Sequence, residues 1–404
     1  MHLMLFRSGE VLVEVFHRTS LAEELATYIL DDATASASSS LLLTAPRGTG
    51  KSTFLSYDLN PALTRRGAVV IQVDLWTRRG EDPGEMLADE IRSALARHEG
   101  ALIRLARKTG LIDRGHGAWP LGVLRDGIGN MVPVTHALAA LSEECEQIVV
   151  LIVDEAQDIV TTRNGKNTLR AIRSAIEELN MGSPHGIRLV AVGSERDKLS
   201  MLARDLTSSF GDRHVRDFPL LGQEFVEWFC RHSPGSKRLD ASQVGELFRR
   251  HGSRPARLAA GLDVFLSRTD GNPGEPFDAL SAAMVEQERH AVQHLLLRLR
   301  WLSPLEFAVL RVIAAQGREC APLWPRTIQT LRTVLMEDGN PATMDVDVVQ
   351  VGAALETLRE KRLLWRSVDG PYALEDMAMR DMLEKAGLLT AATRQVTPLF
   401  AVTD

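Results

Sequence analysis

Cysteine is scarce in this sequence: Cys145, Cys230 and Cys320 are the only three in 404 residues, and none stands in a C-x-x-C pair. That spacing argues against a disulfide framework and a zinc site, and it predicts a reducing compartment. An excess of basic charge is missing too, since 47 Lys and Arg face 53 Asp and Glu, for a formal charge of −6. No global positive field draws this chain to nucleic acid, so any contact with DNA must come from a local patch. Nor does any apolar run approach the roughly twenty residues that span a bilayer. The opening stretch MHLMLFRSGEVLVEVF carries Arg7, Glu10 and Glu14, which fits neither a signal peptide nor a membrane span. The expectation is a soluble cytoplasmic protein. Internal repeats are absent, and the one small-residue tract is ATASASSS at 33–40.

What is present is ordinary globular material, 45% hydrophobic and 25% charged, long enough for two or three domains with real cores. Its most specific stretch is TAPRGTGKST at 44–53, directly after the apolar run LLL. The pattern is that of a phosphate-binding loop, with Ala45 in place of the first glycine. Gly48 and Gly50 let the backbone wrap around an anion, and the N–H groups of Ala45, Pro46, Arg47, Gly48, Thr49 and Gly50 form the loop's cradle, less the proline's missing donor. Lys51 reaches the β- and γ-phosphates, Ser52 ligates Mg²⁺, and Thr53 follows in the helix whose positive end faces the phosphates.

Buried strands alternate with helices through the first half of the chain. The strands are LLLTA, AVVIQVDLW at 68–76, IVVLIVDEAQD at 148–158, IRLVAVG at 187–193, and a possible short fifth within HVRDFPLL. Amphipathic helices lie between them, at 18–32 with Ser20 as a plausible N-cap, in PGEMLADEIRSALARHEG, and in NTLRAIRSAIEELN. Pro61 and Gly67 are expected to interrupt the helix after the loop, and the Gly-rich residues 109–132 to form a loop or hairpin facing a substrate or partner. Short apolar strands separated by helices predict a parallel sheet covered on both faces. After residue 222 the pattern turns helical.

The stretch LIVDEAQD puts Asp154 and Glu155 at the end of a buried strand. An aspartate there holds Mg²⁺ opposite the loop serine, and the adjacent glutamate can polarise the attacking water. Two solvated carboxylates at a strand end are the alternative. The pairing of APRGTGKST with LIVDEAQD and then VAVGSERD resembles the AAA+/STAND ATPases, nearest in look to the origin-initiator and archaeal-type branch, over about residues 14–265. The resemblance implies a P-loop NTPase α/β fold with strand order 5-1-4-3-2, a helical lid and a C-terminal winged-helix domain. It implies that Ser194 is a polar sensor of the γ-phosphate, although Ser194 could instead cap the next helix. It implies that His17 and Arg18 lie near the base, where an ordinary N-capped helix is the alternative. It implies that a Pro or Arg of GSRPARL touches the nucleotide from the lid, with Arg254, Pro255 and Arg257 as the candidates and a surface helix start as the alternative. Arg213 in SSFGDRHVRDF stands where an arginine finger would reach a neighbouring subunit, with Arg204 and Arg216 as competitors. DEAQ also suits helicases, but no second set of buried strands follows.

In the last third, helices at 303–315, in RTIQTLRTVLME and in DVDVVQVGAALETLREKRLL precede the hairpin-like WRSVDGPYAL. Helix, helix, helix, hairpin is the order of a winged-helix domain. Acidic residues outnumber basic ones from 323 to 385, and REKR at 359–362 with Arg366 is the one concentrated patch. That balance favours docking of a protein over reading of DNA. The expected domains are 1–221 for nucleotide binding, 222–270 for the lid, 271–301 for a linker helix, 302–390 for the winged helix, and a tail at 391–404. The expected chemistry is Mg²⁺-dependent ATP hydrolysis by a switch or motor in a DNA-linked process, such as mobile-element control, initiation or defence. The alternative is a non-hydrolysing, nucleotide-gated adaptor. Expected partners are ATP and a protein docked on the winged helix, with DNA and a nucleotide-dependent homo-oligomer left open and no membrane.

Overall fold

The computed structural model describes residues 14–30, 40–78, 80–108, 128, 133–182, 185–206, 215–233, 239–268, 276–317, 320–340, 346–368 and 371–394. Two compact units divide after Met284, within the helix Pro276–Leu299. The segment expected as a substrate- or partner-facing loop or hairpin at 109–132 lies outside the described residues, Ile128 excepted.

Unit one is organised by five parallel strands, β1 (Ser40–Thr44), β2 (Val69–Asp74), β3 (Val149–Asp154), β4 (Ile187–Gly193) and β5 (Arg216–Asp217). Their spatial order is β2-β3-β4-β1-β5, the 5-1-4-3-2 arrangement that the motifs imply. The strands β1, β3 and β4 are buried at every residue, whereas the edge strand β2 alternates between buried and half-buried. Continuous apolar runs produce this because helices cover both faces of a parallel sheet. On one face Leu41, Leu43, Ile152 and Val192 pack with Ala22 and Ala26 of the helix Thr19–Leu30 and with Phe54, Leu59 and Leu63 of the helical stretch after the loop. The helices Pro83–Ala96, Val134–Cys145 and Arg163–Gly182 contact β2, β3 and β4.

The register sets the site. Thr44 pairs with Gly193, Val192 with Asp154, and Asp154 with Asp74, so four strands end level at one edge. β4 lies between β1 and β3, which places the loop after β1 and the acidic pair after β3 around the carboxyl end of β4.

Local expectations fail in three places, each for a local reason. The third strand stops at Asp154 rather than 158, because Glu155 turns into the left-handed region (φ 51°) and a 3-10 helix runs over Ala156–Thr161. Pro61 does not interrupt its helix. A π-helical turn over Leu55–Leu59 precedes it, Asn60 N–H donates to the Leu55 carbonyl, and the helix Asn60–Arg65 carries the proline in its first turn, where no N–H is required. Ser20 lies inside the helix Thr19–Leu30 rather than capping it.

The rest of unit one is helical. Phe225, Phe229, Phe248, Leu258 and Leu262 form a buried aromatic core among the helices Gln223–His232, Ala241–Arg250 and Pro255–Arg268, with Phe16 edge-on to Phe225 at 5.6 Å between ring centroids.

Unit two holds the helices Pro304–Gln316, Pro325–Glu337 and Val348–Glu360, then an antiparallel pair, β6 (Leu364–Arg366) and β7 (Tyr372–Leu374), and the helix Ala378–Lys385. This is the winged-helix order read from the sequence. Capping boxes start two of the helices, Ser303 with Glu306 and Asp347 with Gln350, each satisfying N–H groups that the first turn leaves without partners. The Asp-Gly turn between the strands lies outside the described residues. All three cysteines are free thiols, and burial pushes Cys230 up to about 11 and Cys320 up to about 12. Among the described residues no helix is long and apolar enough to cross a membrane.

Candidate nucleotide site

The loop leaves β1 with Ala45 N–H on the Gly193 carbonyl, so the methyl group at its first position lies within the buried sheet edge and disturbs nothing. Gly48 (φ 78°) and Gly50 (φ 91°) occupy the left-handed region, which side-chain-bearing residues rarely adopt. Between them the Thr49 hydroxyl donates to the Pro46 carbonyl at 2.8 Å. The helix then starts at Lys51, with Phe54 N–H on the Gly50 carbonyl. A side chain at Gly48 would touch Ala256 at 3.7 Å, so the helix Pro255–Arg268 begins beside the loop.

Lys51 is buried. Its Nζ donates to the carbonyls of Ala45 (2.6 Å) and Pro46 (3.1 Å). Burial holds its pKa below the usual lysine value, Glu155 and Asp154 oppose that, and Arg47 and Arg254 add to it. Three cations and two carboxylates therefore share this corner. Asp154 is 1% exposed and bonded to the Ser52 hydroxyl. Its carboxyl is pushed up to about 6, first by burial; the Ser52 bond works against this, while Glu155 and Asp74 add to it. Among the described residues no cluster of three His, Cys, Asp or Glu could cage a metal. The Ser52–Asp154 pair instead offers two hard oxygen ligands, the partial set that Mg²⁺ completes with water and phosphate.

Glu155 follows in its left-handed turn, and one oxygen, Oε2, gathers three donors. Ser194 Oγ donates to it at 2.8 Å, Gln157 Nε2 at 2.5 Å, and an Arg47 guanidinium nitrogen lies 3.6 Å away. Arg47 also donates from Nε to Ser194 Oγ at 3.3 Å, and its guanidinium stacks 3.8 Å from the centre of the Trp76 ring. Ser194 precedes the helix Arg196–Leu206 by two residues, and its hydroxyl serves the Glu155 cluster. A Cβ at Gly193 would lie 2.5 Å from Gln157 Oε1, so a larger residue there would displace that side chain from the cluster.

Arg47 was expected only as a loop residue, and Trp76 and Gln157 were not expected at the site at all. The signal for Gln157 was its place in DEAQ. Nothing local marks Trp76, which arrives because β2 ends level with β3.

The remaining candidates lie around the loop or apart from it. His17 Nδ1 contacts Asp58 at 2.8 Å, behind the loop helix. Arg18 stacks 4.8 Å from the centre of Phe218 and donates to the Pro219 carbonyl, and burial lowers its pKa against the pull of Asp58. Pro255 and Arg257 occupy the first turn of the helix beside Gly48. Arg216 stacks on Tyr28 and donates to its hydroxyl, and Arg204 lies in the helix Arg196–Leu206. Arg213 lies outside the described residues.

Residues 18–180 match the KAP family P-loop domain, and this part of the chain has the P-loop NTPase fold that the loop and strand order indicate. No curated protein sequence is significantly similar to the chain. Among solved structures it is similar to the Aeropyrum pernix ORC2 protein in ADPNP–ADP complexes, at 17% identity over 95% of this chain and 98% of that one, with a TM-score of 0.47. The Aeropyrum pernix ORC1 protein in complex with DNA is similar at 16% identity over 93% and 94% of the two chains, with a TM-score of 0.46. The Cdc6p of Pyrobaculum aerophilum is similar at 16% identity over 95% and 100%, with a TM-score of 0.37.

Proposed function

We propose that this chain is a Mg²⁺-dependent ATPase that works as a switch or motor. The observation that carries the reading is the convergence of Lys51, Ser52, Asp154, Glu155 and Ser194 at one edge of the sheet. Lys51 and the loop N–H groups hold the β- and γ-phosphates. Ser52 and Asp154 would hold Mg²⁺, which when bound would supply charge neutralisation at the phosphates. Glu155 takes a proton from water as the water oxygen bonds to the γ-phosphorus, the bond to the bridging oxygen breaks, and ADP and phosphate leave. Ser194 steadies the Glu155 carboxylate, and Arg254, Pro255 and Arg257 bring the lid helix to the nucleotide. His17 and Arg18 brace the loop helix near the base, and Arg213 acts on the site of a second copy.

The winged-helix unit is read as a protein-docking module. Three of the four cations of its basic patch are engaged within the unit, Arg359 with Glu356, Lys361 with Glu306, and Arg366 with the Tyr372 hydroxyl, which weakens it as a phosphate surface. Val349 (77% exposed) and Trp324 (51% exposed) offer apolar area instead. The link to a DNA process, whether mobile-element control, initiation or defence, rests on the motif resemblance, with DNA and a nucleotide-dependent homo-oligomer as the further partners it implies.

A second reading, a nucleotide-gated adaptor that does not hydrolyse ATP, is favoured by the three donors already on Glu155 Oε2. Steady-state ATP turnover of the protein and its Glu155→Gln variant, with and without duplex DNA, separates the two. The ATPase reading expects turnover by the wild type alone. Tight ATP binding without turnover by either protein supports the adaptor.

A further inference from the structure

We infer that Arg47 is the γ-phosphate-sensing residue of this site, held on Glu155 until a triphosphate draws it away; the inference rests on the reading of the site as one for ATP. The third residue of a phosphate-binding loop contributes its backbone to the cradle, and nothing in that role requires a side chain. Here the side chain is built into the site. Its guanidinium lies 3.8 Å above the Trp76 ring, Nε is 3.3 Å from Ser194 Oγ, and a terminal nitrogen is 3.6 Å from Glu155 Oε2. An arginine packed on an indole face keeps its donor fork in one plane and loses little freedom when it binds.

Position supplies the specificity. A β-phosphate sits inside the loop, near Lys51 and Gly50. A γ-phosphate extends beyond it, toward the ends of β3 and β4 where Asp154, Glu155 and Ser194 lie, and there Arg47 stands. The contact with Glu155 is long for an ion pair, and Glu155 Oε2 keeps the shorter bonds from Ser194 (2.8 Å) and Gln157 (2.5 Å) when Arg47 leaves. A terminal phosphate offers the fork three oxygens and more negative charge than one shared carboxylate oxygen, so exchange is downhill with ATP. A diphosphate ends inside the loop and leaves Arg47 on Glu155. The same exchange removes one of three donors from the oxygen that must accept a proton from water.

Equilibrium binding of ADP and of a non-hydrolysable ATP analogue, each with Mg²⁺, to the full chain tests this in the wild type, Arg47→Ala and Arg47→Lys. The alanine variant is expected to lose roughly 10- to 100-fold in affinity for the triphosphate, the range of a charge-assisted hydrogen bond, and to hold ADP within about twofold. The lysine variant keeps the charge but not the fork or the stack, and is expected to lose less, again for the triphosphate alone. Retained ADP affinity in the same samples shows an intact loop. Equal losses for both nucleotides in both variants, or no loss for either, overturn the inference while the ATP-site reading stands. A wild type that binds neither nucleotide overturns both.

Discussion

Replacing Gly193 by alanine adds one methyl group at the end of β4, and the structure fixes where the strain goes. The new Cβ would lie 2.5 Å from Gln157 Oε1 and 3.4 Å from a Leu199 methyl carbon. The Gln157 amide is the softer obstacle, but it is only 1% exposed and its Nε2 donates to Glu155 at 2.5 Å. Relief therefore breaks a bond to a carboxylate or shifts the β4 backbone, whose Gly193 carbonyl holds Ala45 N–H at the start of the loop. Overpacking costs about 1–3 kcal/mol, and a lost hydrogen bond to a charged group about 1.5–3 kcal/mol. The side chain adjusts in part, so a net loss of about 2–4 kcal/mol is expected. Urea unfolding followed by a probe in unit one measures it. Gln157→Ala removes the obstruction, so the double variant is expected to recover about 1–2 kcal/mol relative to the sum of the singles. A Gly193→Ala protein as stable as wild type, or a strictly additive double variant, would refute the reasoning.

Two more predictions follow from other groups. Asp154 keeps its proton up to about 6 in the fold against an ordinary 3.8, so between those values the folded chain binds a proton that the unfolded chain has released, and metal-free stability falls as pH rises through that window. Mg²⁺ needs the ionised carboxylate, so Mg²⁺-dependent nucleotide affinity should weaken up to about tenfold per pH unit below pH 6; Asp154→Asn should flatten the profile, and a flat wild-type profile from pH 5 to 7.5 contradicts the assignment. In unit two, the buried Arg311 guanidinium is held by Asp338 at 2.6 Å and by the Leu388 carbonyl at 2.7 Å. Asp338→Ala leaves that charge with half its support and should destabilise the unit by about 2–3 kcal/mol, below the fully buried range because Asp338 is partly exposed; a change within 0.5 kcal/mol, on the order of an exposed pair, contradicts this.

The parts of this fold that were legible in the sequence are those that one segment decides alone. Uninterrupted apolar runs announce β1, β3 and β4, because only a two-sided sheet buries every residue of a strand. The loop is readable because Gly48, Gly50, Lys51 and Ser52 are required together, and Ser303 with Glu306 marks a helix start within four residues. The misread places depend on a neighbouring turn or a distant partner. Pro61 is harmless because of the π turn just before it, and β3 ends early because Glu155 adopts a left-handed conformation. The Arg47 cluster draws on residues 47, 76, 155, 157 and 194, which meet only because the sheet order brings four strand ends level. No spacing within a single segment records that.

The most direct test of the account is single-turnover cleavage of γ-labelled ATP by the wild type and by Glu155→Gln. That change keeps the shape of a side chain already bonded to Ser194 and Gln157, and removes the charge that accepts the water's proton. The account predicts that both proteins bind ATP, the variant at least as tightly because Arg47 no longer leaves a carboxylate charge, and that phosphate release slows by about 10²–10⁴-fold in the variant, the range of a lost general base. Equal rates of phosphate release from the two proteins would contradict it.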